Sequence, residues 1–134
     1  MIDDKNPYAN VRVLIIDDDQ SMITLIATIL QSMGFEKIER TLNADKALMM
    51  FQEDARIVDI VICDWNMPGK SGLEFLKELR EIRPDIPFMM LTSNSSIENV
   101  RAAADAGVSQ YLTKPFTADE LQKRVKAMVK SLTN

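Results

Sequence analysis

Residues 58–69, VDIVICDWNMPG, join an apolar run to an acid and then to a turn. The apolar residues of the run are Val58, Ile60, Val61 and Ile62, and Met-Pro-Gly closes the stretch. Branched apolar residues bounded by turn residues are typical of a strand buried on both faces, as in a parallel sheet. We therefore predict a central strand over residues 58–63, with Asp64 at its carboxyl end. A carboxylate in that position needs a partner or a chemical role.

The alternation of strand, helix and turn residues repeats on both sides of this strand. Four further strands are predicted at residues 11–16, 37–41, 86–91 and 109–113. Apolar residues that recur at steps of three and four predict helices between them. Parallel neighbours need right-handed crossovers, which place helices on both faces of the sheet. Five strand–helix units are too few for an eight-stranded barrel. We predict an open, doubly wound α/β fold with a parallel sheet in the order 2-1-3-4-5.

Capping residues mark where the helices begin. The predicted N-caps are Ser21, Asn43, either Ser95 or Ser96, and Thr117, which forms a capping box with Glu120. The first helix is expected to bury Met22, Ile26, Ile29 and Met33. The last helix is expected to bury Leu121, Val125, Met128 and Leu132.

Composition excludes several classes of function. The 134 residues suit one domain, and we predict an arm over residues 1–10 followed by the domain over residues 11–134. A net charge of -4 without a basic block argues against direct nucleic-acid binding. The absence of histidine excludes Ser-His-Asp triads and most zinc sites. One cysteine, no signal sequence and no membrane span favour the cytoplasm and no membrane association.

Acidic residues follow two strands that the predicted order makes neighbours. Asp17 and Asp18 end the first strand and Asp64 ends the third. In such sheets the ligand lies beyond the carboxyl ends of the strands, where the winding direction reverses. Three carboxylates sharing this crevice need a cation, and their hard oxygen ligands suit Mg²⁺ with a phosphate oxygen. Two further strand ends add Thr92 and Ser93, which are hydroxyl donors, and Lys114, which is a cation.

Four motifs together resemble those of the receiver domain of two-component response regulators. They are IIDDDQSM (15–22), ICDWNMPGKSG (62–72), MMLTS (89–93) and QYLTKPFTADEL (110–121). The resemblance covers residues 11–132 and is greatest to the stand-alone chemotaxis type, which is CheY-like. It implies a flavodoxin-like (βα)5 fold.

The resemblance also implies roles for individual residues. Asp64 would accept a phosphoryl group from a phosphohistidine of a sensor histidine kinase or phosphotransfer protein, with Lys114 contacting the phosphoryl oxygens. The Mg²⁺ ligands would be Asp17, Asp18, Asp64 and the main-chain carbonyl of Asn66. Thr92 and Tyr111 would act as the switch, and the Lys114-Pro115 bond would be cis. The protein would be a phosphoacceptor and not an enzyme, although it would assist its own phosphorylation and slow dephosphorylation.

Two side chains are predicted to set how long the phosphoryl group lasts. Asn66 and Asn94 lie two residues beyond Asp64 and Thr92, where they would flank the path of an attacking water. Asn94 departs from the acidic residue of the best-known chemotaxis member. Asp19 has no role in the resemblance and is expected at the surface. Trp65 fits either a structural plug or an exposed recognition residue.

Other functions compete with this prediction. A phosphate-independent adaptor or scaffold would keep the fold without the acid, hydroxyl and lysine set. An intermediate in a phosphorelay would use the same set. A phosphohydrolase of the haloacid dehalogenase kind would need an acid two residues after Asp64, where Asn66 stands. Output is expected through a separate downstream protein at the face formed by the fourth helix, the fifth strand and the fifth helix, roughly Asn99 to Arg124.

Overall fold

A computed structural model describes residues 6–132 and confirms the predicted fold class. Strands and helices alternate along the chain, and the sheet has the order β2-β1-β3-β4-β5 with every pairing parallel. The elements are β1 (Arg12–Ile16), α1 (Gln20–Met33), β2 (Lys37–Thr41), α2 (Ala44–Glu53), β3 (Ile60–Asp64), α3 (Gly72–Ile82), β4 (Phe88–Thr92), α4 (Ile97–Asp105), β5 (Gln110–Thr113) and α5 (Ala118–Ser131).

Two apolar cores cover the two faces of the sheet. Successive side chains of a strand point to opposite faces, so Val13 and Ile15 enter one core while Leu14 and Ile16 enter the other. Helices α1 and α5 complete the first core, and α2 and α3 complete the second. The three inner strands are therefore apolar on both faces, and polar side chains are left for the strand ends.

The central strands begin later than the sequence pattern predicts. The third strand, predicted over 58–63, is Ile60–Asp64, and the fourth, predicted over 86–91, is Phe88–Thr92. Pro87 has no N–H for the ladder, which delays the start of β4. Both shifts carry a polar residue into the last position of a strand, where Asp64 and Thr92 are held by the sheet itself.

Two details of α1 were predicted wrongly. Asp19 and not Ser21 is its N-cap, and its side chain accepts a hydrogen bond from the backbone N–H of Ser21 at 2.9 Å. The helix also buries a slightly different face, with Ile23 and Leu30 in the core while Met22 and Met33 are only partly buried. Asp19 lies in the short loop between β1 and α1, and aspartate is a favoured capping residue, so the cap lies two residues earlier than the apolar periodicity indicates.

The other predicted caps are confirmed, and Ser96 is the cap of α4. A second capping box, formed by Ser71 and Glu74 at the start of α3, was not predicted. In α5, Val129 is buried, whereas Leu132 is exposed because it lies beyond the end of the helix.

Part of the predicted arm packs against the end of α1. The amide of Asn6 donates to the carbonyl oxygen of Gly34 at 3.0 Å. The ring of Tyr8 stacks on that of Phe35 with centroids 4.8 Å apart. These contacts hold residues 6–8 against the domain, whereas residues 1–5 of the predicted arm, like residues 133–134, lie outside the described part of the chain. Between residues 6 and 132, no helix has the length and apolar character needed to cross a bilayer.

Candidate functional site

Three carboxylates meet at the carboxyl ends of β1 and β3. One oxygen from each of Asp17, Asp18 and Asp64 lies within 4.8 Å of the others. Strands β1 and β3 are paired neighbours, so the residues that follow or end them necessarily share one edge of the sheet. The sheet order thus produces the convergence that the sequence predicts.

Asp17 is the most enclosed of the three acids. It is 1% exposed, compared with 6% for Asp64, whereas Asp18 is exposed. The backbone N–H of Asp19 donates to Oδ1 of Asp17 at 2.9 Å. The N–H of Asp17 itself donates to the carbonyl oxygen of Thr41 at 3.2 Å. The first bond therefore holds a carboxylate oxygen of Asp17, and the second holds its main chain.

Lys114 closes the acidic cluster from the end of β5. Its ammonium nitrogen lies 3.2 Å from Oδ2 of Asp17 and 3.1 Å from Oδ1 of Asp64. Its backbone N–H donates to the carbonyl oxygen of Thr92 at 2.7 Å, and the peptide bond to Pro115 is cis, as the resemblance implied. The side chain thus reaches across the mouth of the sheet and bridges two of the three carboxylates.

One ammonium group does not balance the cluster. Burial raises the pKa of Asp64, the charge of Lys114 opposes this, and the charges of Asp17 and Asp18 raise the pKa further, so that it lies above its ordinary value. Burial lowers the pKa of Lys114, but the charges of Asp64 and Asp17 outweigh it, and the pKa is raised. Burial and the neighbouring acids thus oppose ionisation of Asp64, while the two carboxylates favour the charged form of Lys114.

This donor set fits a divalent cation. Two like charges 4.8 Å apart repel by about 3–4 kcal/mol at an effective dielectric of about 20. Hard oxygen donors suit Mg²⁺ or Ca²⁺, and Mg²⁺ is typically held by one or two carboxylates together with waters and a phosphate oxygen. The exposure of Asp18 leaves the cluster open to solvent on one side. The cluster can therefore hold a cation that also binds an anionic group.

Thr92 lies at the end of β4 and is bonded to the loop that follows it. It is 1% exposed. Its Oγ1 accepts the N–H of Asn94 at 3.0 Å and lies 3.3 Å from the carbonyl oxygen of the same residue. The hydroxyl of Tyr111 also donates to that carbonyl, at 2.8 Å. The two predicted switch residues therefore meet at one backbone group, which the sequence did not indicate.

The loop from β3 to α3 is held close to the site by its backbone. Trp65 donates its N–H to Leu91 O at 2.8 Å and accepts from Gly72 N at 2.8 Å. Trp65 is half-buried and packs against the core, which favours a structural role. A Cβ on Gly72 would lie 2.3 Å from the carbonyl oxygen of Asp64. Gly72 was missed as a site residue, although a glycine at the first position of a helix is a signal of close approach.

The remaining predicted site residues are exposed. Asn66 lies in the β3–α3 loop, and Ser93 and Asn94 follow β4. The side chain of Asn94 accepts the backbone N–H of Ser96 at 3.0 Å. Their predicted roles in binding and in setting the lifetime of the phosphoryl group stay predictions.

Known proteins share this sequence pattern and this fold. The family model described as response regulator receiver domain matches residues 13–126. Chemotaxis protein CheY-3 of Vibrio cholerae is 35% identical over 118 residues, which is 87% of this chain and 89% of that protein. The phosphate regulon transcriptional regulatory protein PhoB of Rhizobium meliloti is 37% identical over 123 residues, or 89% of this chain. The chain spans only about half, 52%, of the length of PhoB.

A solved structure agrees with these matches. Chemotaxis response regulator CheY4 of Vibrio cholerae superposes with a TM-score of 0.79 at 31% identity, covering 88% of this chain and 98% of that one. The family match spans most of the chain and includes Asp17, Asp64, Thr92 and Lys114. The chain belongs to the family of response regulator receiver domains, the CheY-like signalling modules of two-component systems.

Proposed function

We propose that this protein is a phosphorylation-controlled switch that accepts a phosphoryl group on Asp64. The donor is a phosphohistidine of a sensor histidine kinase or a phosphotransfer protein. The observation that supports this most directly is the ammonium of Lys114, 3.1 Å from Oδ1 of Asp64, beside two further carboxylates at one sheet edge. Because the transferred group ends on the chain itself, the protein is a phosphoacceptor and not an enzyme.

The transfer is a substitution at phosphorus. An ionised oxygen of Asp64 forms the new P–O bond while the P–N bond to the donor imidazole breaks, and the imidazole leaves with the bonding pair. Charge spreads over the three equatorial oxygens as this happens. Lys114 is placed to stabilise that charge, and it also helps to keep Asp64 ionised.

A bound Mg²⁺ would neutralise the carboxylates and the incoming phosphoryl oxygens. Its ligands would be Asp17, Asp18, Asp64 and the main-chain carbonyl of Asn66. Asp17 is held for this by the N–H of Asp19, and Lys114 keeps two carboxylates together. Asn66 and Asn94 would set how readily water reaches the phosphoryl group.

The phosphoryl group would act on the surface through Thr92 and Tyr111. It brings strong acceptor oxygens to the end of β3, and the hydroxyl of Thr92 ends the neighbouring strand β4. A hydrogen bond from Thr92 to the phosphoryl group would replace its bond to the carbonyl of Asn94, which Tyr111 shares. The face formed by α4, β5 and α5 is then the surface that a separate downstream protein reads.

The names of the relatives support a proposal about the pathway. CheY-3 and CheY4 are named as chemotaxis proteins, so we propose a role in chemotaxis or a related cytoplasmic two-component pathway. PhoB is named as a transcriptional regulator, which makes a different output the competing proposal.

Incubation with acetyl phosphate and Mg²⁺ tests the proposal. We expect intact-mass spectrometry to show one added phosphoryl group, lost when Mg²⁺ is chelated and absent in Asp64→Asn. Asp19→Asn is the matched control, because Asp19 is a neighbouring acid outside the cluster and asparagine also caps helices. Failure of the wild-type protein to form an adduct would favour the phosphate-independent scaffold.

A further inference from the structure

Asn94 occupies the junction between the site and α4, and its polar atoms are bonded in both directions. Toward the site, its N–H donates to Oγ1 of Thr92 at 3.0 Å, and its carbonyl accepts from the hydroxyls of Tyr111 at 2.8 Å and Thr92 at 3.3 Å. Toward α4, its Oδ1 accepts the backbone N–H of Ser96 at 3.0 Å. The main chain of Asn94 thus makes the three bonds toward the site, and its carboxamide makes the one toward α4.

Ser96 continues the chain of bonds into the helix. It is the N-cap of α4, and its Oγ accepts the N–H of Asn99 at 3.2 Å. Its carbonyl oxygen accepts the N–H of Val100 at 3.0 Å. The backbone orientation of Ser96, which its bond to Asn94 helps to fix, therefore decides whether the first turn of α4 is capped.

Helix α4 depends on these terminal bonds because it has little apolar anchorage. Ala103 is its single fully buried side chain, and Ile97 is 71% exposed. The carboxyl end is tied to α3 by Arg80, whose guanidinium donates to the carbonyl oxygen of Gly107 at 2.7 and 3.0 Å. The amino end has no comparable tether among the described residues, apart from the bonds through Asn94 and Ser96.

We propose that the carboxamide of Asn94 is a positioning group that couples the hydroxyl of Thr92 to the amino-terminal turn of α4. When Thr92 leaves Asn94 for a phosphoryl oxygen, the loop loses two bonds and the orientation that caps Ser96 weakens. The amino end of α4 then loosens while Arg80 holds its carboxyl end. This step rests on the proposed function, whereas the capping role belongs to the protein without phosphate.

Amide hydrogen exchange measured by NMR, without phosphate or Mg²⁺, tests the capping role. Asn94→Ala removes the acceptor for the N–H of Ser96, and Asn94→Asp keeps it. We expect exchange of the Ser96 and Asn99 amides to be about threefold to tenfold faster in Asn94→Ala, as for the loss of one hydrogen bond, and close to wild type in Asn94→Asp. Ser95→Ala, at the exposed neighbouring position, is the matched control and should change neither amide.

Other outcomes would overturn the inference. Equal exchange in Asn94→Ala and wild type would show that the carboxamide does not support the cap. Equal acceleration in the Ala and Asp variants would show that the effect does not pass through the Oδ1 acceptor. Urea unfolding of each variant separates a local effect from global destabilisation, because global loss would also accelerate exchange at Leu112 in β5.

Beryllofluoride with Mg²⁺, a mimic of the phosphoryl group, tests the coupling. We expect its binding to accelerate exchange of Ser96 and Asn99 in the wild-type protein and to have little further effect in Asn94→Ala. Binding without any change at these amides would overturn the coupling. Absence of beryllofluoride binding would contradict the proposed function instead, and the comparison of the two Asn94 variants would still decide the capping role.

Discussion

The carboxylate of Asp64 is held at the mouth of the sheet in an unfavourable charge environment. Its neighbours are two other acids and one ammonium group, and its pKa is raised, first by burial and then by the acids. An acid whose pKa is higher in the folded than in the unfolded state binds protons more tightly when folded. Its ionised form therefore opposes folding at pH 7. The ionised carboxylate of Asp64 is therefore retained at some cost in stability.

Asp64→Asn should therefore stabilise the protein when no divalent ion is bound. The amide keeps the shape and removes the charge, so we expect the free energy of unfolding at pH 7 to rise by about 0.5–2 kcal/mol in the presence of a chelator. Urea unfolding followed by circular dichroism measures this. Mg²⁺ should stabilise the wild-type protein more than the variant, and a variant less stable than wild type in chelator would contradict the electrostatic account.

At the scale of elements, the junction of β3 and α3 sets the position of the site. Gly72 begins α3 directly against the backbone of Asp64, and its N–H donates to Trp65 O at 2.8 Å. The capping box of Ser71 and Glu74 fixes the start of the same helix. A shift of α3 would consequently move the backbone that carries Asp64.

Gly72→Ala should disturb both stability and the site. The added Cβ would lie 2.3 Å from the carbonyl oxygen of Asp64, so backbone must move, and we expect a loss of about 1–3 kcal/mol in the free energy of unfolding. Phosphorylation by acetyl phosphate should slow in the same variant. Urea unfolding and intact-mass time courses measure the two effects.

Gly69→Ala is the control for this prediction. Gly69 has φ +79°, but a Cβ added there would meet no heavy atom within 4 Å, so its substitution causes backbone strain and no collision. We expect a loss of about 1–2 kcal/mol without slower phosphorylation. A Gly72→Ala protein that is phosphorylated at the wild-type rate would show that α3 does not position Asp64.

Elements were predictable from sequence where one residue decides the local structure. Asn43 caps α2 as expected, and Thr117 caps α5, where the glutamate three residues later, Glu120, completes the capping box. At α1, Asp19 and Ser21 are both possible caps, and Asp19 is the one whose side chain accepts a hydrogen bond from the first turn, from Ser21 N–H. The bonds that gather Thr92 and Tyr111 on Asn94 involve a backbone carbonyl, which has no signature in the side-chain sequence.

At the scale of the whole molecule, a second contact joins the segments of β1 and β3 at the opposite end of the sheet. Asp59 accepts the backbone N–H of Arg12 at 2.8 Å and pairs with its guanidinium at 3.1 Å. Partial burial raises the pKa of Asp59, but the hydrogen bonds from Arg12 outweigh it, and the pKa lies below its ordinary value. This contact joins the start of β1 to the residue before β3. It lies at the amino ends of these strands, whereas the acidic cluster lies at their carboxyl ends.

The pH dependence of stability follows from the lowered pKa of Asp59. The ionised carboxylate contributes its full stabilisation above the unfolded pKa of about 3.9 and loses it as the pH falls through the lower folded value. The pair is partly exposed, so we expect Asp59→Asn to lose no more than about 1 kcal/mol at pH 7. Urea unfolding at a series of pH values should show this difference shrink below pH 4, and a difference that grows toward acid would contradict the assignment.

The meeting of the acids could be predicted because it follows from the order of the strands alone. Strands one and three are neighbours in the order 2-1-3-4-5, so Asp17 and Asp64 had to share one edge. The contacts of Asn6 and Tyr8 with the end of α1 could not be predicted, since a polar segment with a proline carries no periodicity. Long-range packing of an irregular segment is visible only in three dimensions.

Locating the phosphoryl group on the chain decides whether Asp64 is the phosphoacceptor. After reaction with acetyl phosphate and Mg²⁺, borohydride reduction converts an aspartyl phosphate to homoserine, and tandem mass spectrometry of peptides identifies the residue. We expect homoserine at position 64 alone, with Asp17 and Asp18 unchanged. Modification at either of those residues, or none at Asp64, would contradict it.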